Sequence, residues 1–418
     1  MPRLKPLARR TAGALALWLG LLTLATPVLA APWVQTTSLP DGYSAAALVY
    51  ASGFLYHTGG SSESSGFYDG TNVFYGQVNT NGTIGTWNNG TPLPEITLYH
   101  ASVAANGFVY VIGGYHYNDA AGIYISSNVY YAKINLDGSL GSWQTANPMP
   151  DTLDDQSASV WNNRIYVIGG QDYNSVLNTV YSATIQTNGS LSAWTTQAPL
   201  PEALFTQAEA ANGFIYVVGG VNGGGGAVNT IYYTKINADG TLAGWNQTSA
   251  LPRAVAEFGV VAANGLIFTF GGYDNVSPII TNSFYSAAVK GDGSLNSWST
   301  GASLPQPESY FGFTASDSYI FVSGGNNGST YLSSVYSMAL PAPPAAPQFI
   351  SRSFTNGNFQ IQLAASTNTG FGLLASPDLI NWTNIGWGFT GTNGLLNFQD
   401  TNAANFTRRF YRVYWPLP

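Results

Sequence analysis

Cysteine is absent from the 418 residues. Disulfides, thiolate metal sites, lipid-modified cysteines and cysteine nucleophiles are therefore excluded. Stability must come from packing and ladder hydrogen bonds. Charge is scarce as well, at 8% of residues. Histidine occurs only at His57, His100 and His116, too few and too scattered for a transition-metal site. No metal and no cofactor is implied. Nothing in the pattern suggests a helical domain, and beyond residue 30 no apolar run is long enough to span a bilayer.

The first thirty residues read as targeting. Arg3, Lys5, Arg9 and Arg10 precede a largely apolar stretch from Ala12 to Ala25, and Val28-Leu29-Ala30 offers small residues for cleavage after Ala30. The expected destination is secreted or cell-surface. Removing that segment leaves nine basic against 20 acidic residues, a net charge of −11. That balance argues against nucleic acid and against an anionic membrane surface.

One unit recurs six times. Each ends a β-branched, aromatic run with a glycine pair: Gly59-Gly60, Gly113-Gly114, Gly169-Gly170, Gly219-Gly220, Gly271-Gly272 and Gly324-Gly325. A tryptophan tracks each pair: Trp33, Trp87, Trp143, Trp194, Trp245 and Trp298. The steps between first glycines are 54, 56, 50, 52 and 53 residues. Four strand-like runs per period of about fifty residues indicate a propeller. Within residues 95–150 the strands are expected at Ala101–Ala105, Phe108–Ile112, Asn128–Ile134 and Leu140–Thr145, with a variable segment at 115–127. Asn106-Gly107 is a two-residue hairpin signal, and Asn135 to Ser139 is a second turn. The glycine pairs let backbone pass close by. Each indole should fill space between units while its N–H finds a carbonyl.

The ends of the array differ from its middle. Pro32 to Pro40 is a lone fourth-strand segment, and the last unit stops after its third strand near Leu340. The N-terminal segment can complete the last unit and close the ring. The expected fold class is all-β: a six-bladed propeller over 31–340, its last blade closed by the N-terminal strand. A Pro/Ala linker at 341–347 and a small β-sandwich at 348–418 follow.

The run Asn106-Gly-Phe-Val-Tyr-Val-Ile-Gly-Gly114, with Val129-Tyr-Tyr131, Trp143 and Pro148-Met-Pro150, resembles the kelch repeat family over residues 32–340. The resemblance implies a kelch propeller, a scaffold that hosts binding modules and some enzymes. One departure is an arginine that family repeats often carry after Met-Pro or Leu-Pro; here only Arg253 comes close. Beyond the linker, Ser376-Pro-Asp-Leu-Ile-Asn-Trp-Thr383 and Arg409-Phe-Tyr-Arg-Val413 resemble a C-terminal module of secreted proteins of Verrucomicrobia-like bacteria. Surface attachment or glycan contact would suit it, with Trp382 and Trp387 as a sugar platform or as core.

Ligands of propellers use the face carrying the second-to-third and fourth-to-first loops, and the channel mouth. Fourteen residues before each first glycine lie Ala45, Tyr99, Asp155, Phe205, Glu257 and Tyr310. Thirteen before lie Ala46, His100, Gln156, Thr206, Phe258 and Phe311. One of these rings should face the channel. The ligand-binding candidates are Tyr99, His100, Asp155, Gln156, Phe205, Glu257, Phe258, Tyr310 and Phe311. Asp155, Glu257 and His100 are the acid–base candidates, since paired carboxylates serve glycosidic chemistry at the right separation. Packing between blades is the alternative role for both rings. The turns holding Asp137, Asp239 and Asp292 are too short for an EF-hand loop and read as hairpin turns.

The expected function is an exported, non-catalytic binding protein whose propeller face recognises a glycan or an extracellular protein. One alternative is a carbohydrate-active kelch enzyme, sialic acid epimerase-like or lyase-like. The other is a cell-surface scaffold.

Overall fold

Asn106 and Gly107 have φ of 53° and 80°, the left-handed pair a tight hairpin requires. They join strands Ala101–Ala105 and Phe108–Ile112 in the register Phe108↔Ala105 to Ile112↔Ala101. The computed structural model describes residues 32–66, 69–118, 122–274, 279–341, 347–367, 370–377 and 383–414. The targeting segment 1–30, most of the 341–347 spacer and Trp382 lie outside the described residues.

The chain is an all-β propeller. Among the described residues, six four-stranded antiparallel sheets follow one another along it. Their first strands, Ala47–Ala51, Ala101–Ala105, Ser157–Trp161, Leu204–Ala211, Gly259–Ala263 and Gly312–Ala315, each adjoin the next, and the last adjoins the first. The last of these sheets takes its outer strand from the N-terminal segment: Val34 pairs with Ser337 and Gln35 with Tyr336.

Two sets of bonds lock neighbouring sheets together. The six indole N–H groups each donate to a carbonyl next door: Trp33 to Ala302, Trp87 to Thr37, Trp143 to Thr91, Trp194 to Asn147, Trp245 to Ala198 and Trp298 to Ser249, at 2.8–3.0 Å. The second set uses fully buried second-strand tyrosines. Tyr56, Tyr110, Tyr166 and Tyr216 donate to the carbonyls of Gly138, Gly189, Gly240 and Gly293, each in the following unit's last turn. The fifth unit has Phe268 there. Its neighbour is the stitched sheet, whose third and fourth strands, Val335–Ala339 and Val34–Gln35, come from distant parts of the chain and are not joined by a turn.

The glycine pairs behave as their spacing implies. Gly113 and Gly114 have φ of 58° and 98°, and a Cβ on Gly114 would lie 2.5 Å from the Leu98 carbonyl oxygen. Two expectations need correction. The fourth strand is only Gln144–Thr145, not 140–145: Leu140 makes a single bridge to Ile134, and half-buried Trp143 precedes the ladder because its ring turns toward the neighbouring sheet. The variable segment 115–127 holds its own hairpin, Tyr115–Asn118 with Gly122–Ile125, which pairs with Ile96–Leu98.

Beyond the spacer lie two three-stranded sheets. One is Gln348–Thr355, Asn358–Ala364 and Leu395–Asp400; the other is Thr383–Phe389, Gly370–Ser376 and Phe410–Tyr414. They share a cluster of Ile361, Leu363, Phe371, Leu373, Leu396 and Phe398. The strands at 348–355 and 383–389 escaped the sequence reading. This module touches the propeller at turns following the first or third strands: Trp387 stacks on Trp161 at 6.1 Å, and Phe389 lies by Gly291.

Candidate functional site

Of the six residues fourteen before the glycine pairs, five are left-handed. Ala45, Tyr99, Asp155, Glu257 and Tyr310 have φ of 51–56°. Each such corner costs on the order of 1 kcal/mol for a non-glycine residue. A belt of main-chain bonds repays it. The N–H of Ala45 donates to the carbonyl of Tyr310, Tyr99 to Ala45, and Asp155 to Tyr99, each at 3.0 Å; Tyr310 donates to Glu257 at 3.2 Å. Phe205 breaks the belt. It lies inside the long strand Leu204–Ala211, where the register shifts between Phe205 and Gln207. Among the described residues no main-chain bond joins Phe205 to Asp155 or to Glu257.

The belt rims a cavity of about 330 Å³ walled by the first strands. Tyr99, Asp155, Glu257 and Tyr310 are half-buried and line it. Tyr99 meets Tyr310 edge-on at 5.9 Å and Tyr115 at 5.8 Å. Gln171 Nε2 donates to Asp155 Oδ2 at 3.1 Å. A second cavity of about 10 Å³ lies at the break, between Asp155, Phe205, Gln207, Gly220, Glu257 and Phe258.

The ring thirteen residues before the glycines is withdrawn. His100, Gln156, Thr206, Phe258 and Phe311 are 8%, 5%, 3%, 1% and 5% exposed. They sit beneath their own glycine pairs; the Phe258 Cβ, for example, would meet any side chain on Gly272. His100 Nε2 and Thr58 Oγ1 are 3.0 Å apart, and burial holds its pKa down to about 3. It therefore stays neutral at ordinary pH.

Glu209 was missed by the sequence reading. It projects from Leu204–Ala211 into the same cavity, and Ser159 Oγ donates to its Oε2 at 3.4 Å. Ten residues before the glycine pair the other units carry Val49, Val103, Ser159, Val261 and Thr314. A lone carboxylate among small residues was the available signal. Burial pushes the Glu209 pKa up to about 8. Asp155 is raised by burial and then by the charges of Glu257 and Asp154; Glu257 is raised by burial and then by Asp154. The Tyr99 and Tyr310 hydroxyls are raised by burial and by these same two carboxylates. The geometry thus brings Asp155, Glu209, Glu257, Tyr99 and Tyr310 to one cavity.

A polar corner surrounds this site. The residue after each Leu-Pro or Met-Pro is Asp41, Glu95, Asp151, Glu202, Arg253 or Gln306. Tyr130, Tyr181 and Tyr232 donate their hydroxyls to Glu95, Asp151 and Glu202 at 2.9, 2.5 and 2.9 Å. Arg253 pairs with Asp274 at 2.6 Å. Carboxylate–tyrosine bonds therefore supply the polar contacts of this corner in the units that lack the family's arginine. Glu95 also takes His116 Nδ1 at 2.9 Å. The turn carboxylates of Asp137, Asp239 and Asp292 accept from Ser139, Thr241 and Ser294 inside their own turns.

Residues 155–182, from the Asp155 corner through the third strand, match the kelch motif. The likenesses support kelch-type repeats. Kelch-like protein 23 of Pongo abelii is 26% identical over 222 residues, covering 52% of this chain and 35% of that protein. Beta-scruin of Limulus polyphemus is 29% identical over 194 residues, covering 44% and 20%. The chain thus spans about a third or less of these kelch relatives. The solved structure of YjhT superposes with a TM-score of 0.58 at 13% identity, covering 78% of this chain and 99% of that one. That likeness concerns the fold.

Proposed function

We propose that the chain is an exported binding protein. It would be a six-bladed kelch propeller over 31–340, with a C-terminal β-sandwich at 348–418, and its channel mouth would recognise a partner protein. The carrying observation is the convergence of Tyr99, Tyr310, Asp155 and Glu257 on one open cavity at the corner of the ring. Buried aromatic anchors beside charged groups are what protein interfaces concentrate at their centres. The kelch relatives favour a protein over other partners.

A glycan is the second reading, favoured by the same aromatic and carboxylate lining, and it extends to acid–base work by Asp155 and Glu257. Displaying the chain to a peptide library and a glycan array separates the two. Peptide capture lost in Tyr99→Ala with Tyr310→Ala supports the protein reading. Sugar capture alone replaces it with the glycan one. Export is checked by expressing the chain with residues 1–30 and sequencing the processed N-terminus, which should begin at Ala31.

A further inference from the structure

The mouth cavity has an unbalanced charge. Among the described residues its lining includes the carboxyl groups of Asp155, Glu209 and Glu257 and no lysine or arginine. His100 is the one basic side chain among those described lining residues, and it is bonded to Thr58. The three carboxyl groups come from the third, fourth and fifth units, so one wall is acidic. The facing wall is Ala45, Ala46, Ala47 and Leu48.

We propose that this cavity seats a cationic side chain, an arginine or lysine of a partner protein, with its head against Asp155, Glu209 and Glu257 and its stem along Ala45 to Leu48. The inference rests on the protein-binding reading and specifies its chemistry. Long cationic side chains combine these two surfaces, an apolar stem and a charged head. Tyr99 and Tyr310, crossed at 83°, offer ring faces and edges beside the head, and aromatic faces attract cations.

The small cavity at the break in the belt has room for about one water, which can bridge the head group to Gln207 or Phe205. The raised pKa values of the three carboxyl groups fit a site whose counter-charge comes from outside. A neutral sugar or an acidic peptide would leave them uncompensated.

The test uses the full chain as bait for a random displayed peptide library at low salt. Enrichment of arginine or lysine, with affinity falling roughly tenfold to a hundredfold when that residue becomes citrulline or norleucine, supports the proposal. The same loss is expected in the double variant Asp155→Asn with Glu257→Gln. That variant removes repelling buried charges and should fold at least as well as the parent. Glu308→Gln, whose side chain lies outside the cavity, should leave affinity unchanged. Enriched peptides lacking basic residues would overturn the cationic inference and leave the protein-binding reading standing. A library that yields no binder would overturn both.

Discussion

The indole of Trp33 donates to the carbonyl of Ala302, 269 residues further along the chain, at 3.0 Å. Five equivalent bonds link segments about fifty residues apart in sequence; this one joins the N-terminal segment to the fifth unit. It also sets the Trp33 ring edge-on to Phe270 and Phe284, at 5.8 and 6.1 Å.

Trp33→Phe should therefore cost about 1–2 kcal/mol, the loss of one buried hydrogen bond and some area. Trp143→Ala should cost roughly 2–4 kcal/mol, toward the lower end for a large-to-small change because that ring is half-buried. Urea denaturation of both variants checks the pair. Unchanged midpoints would mean that the ladder of indoles is dispensable.

Tyr166→Phe should cost about 1 kcal/mol by orphaning the Gly240 carbonyl. Phe268→Tyr should also destabilise, by about 1–3 kcal/mol, because the neighbouring sheet has no turn between its third and fourth strands to accept from a new buried hydroxyl. Opposite substitutions with the same sign are the diagnostic result. Thermal melting of the two variants reads it directly.

Asp154 and Glu308 are 0% exposed and their carboxyl oxygens are without hydrogen-bond partners among the described residues. Burial raises them from 3.8 and 4.5 to about 7 and about 8. The native state thus holds these protons more tightly than the unfolded chain. Their contribution is intact below about pH 4 and is lost progressively as pH rises to each folded value. The turn carboxylates, lowered by their hydrogen bonds, act in the opposite sense only in the acid range. The melting temperature should fall between about pH 6.5 and pH 8, above the range in which His57 and His100, held down by burial, act in the opposite sense. Asp154→Asn with Glu308→Gln should reduce that slope, Asp155, Glu209 and Glu257 supplying the remainder; an unchanged slope would show that Asp154 and Glu308 ionise elsewhere.

Asp151→Asn and Tyr181→Phe should be non-additive. Their bond is 2.5 Å long, and burial together with Asp151 pushes the tyrosine up to about 12. A double-mutant cycle should give a coupling of roughly 1–2 kcal/mol. Additive effects would mean that the contact contributes little.

The repeat was legible because its rules are local. Asn-Gly requires positive φ, a glycine pair requires close backbone, and an indole requires an acceptor, so sequence alone placed Ala101–Ala105 and Phe108–Ile112 at their observed bounds. Trp143 misled by its strand-like neighbours, since the ladder begins only at Gln144. Asp155 and Glu257 could be aligned from their distance to the glycines, but choosing between the two rings needed backbone angles. Glu209 was hidden because it lies within a strand whose alternation is read as core. Asp154 and Glu308 were hidden because nothing in a sequence marks a carboxyl group as unpartnered.

The mouth is shaped by main-chain atoms. Ala45, Tyr99, Asp155, Glu257 and Tyr310 hold nearly one φ although their side chains share no chemistry, and the bonds between them run N–H to carbonyl. Such a rim is a socket with interchangeable fittings. Substitution can rewrite the chemistry it presents, one corner at a time, while the main-chain bonds that shape it persist.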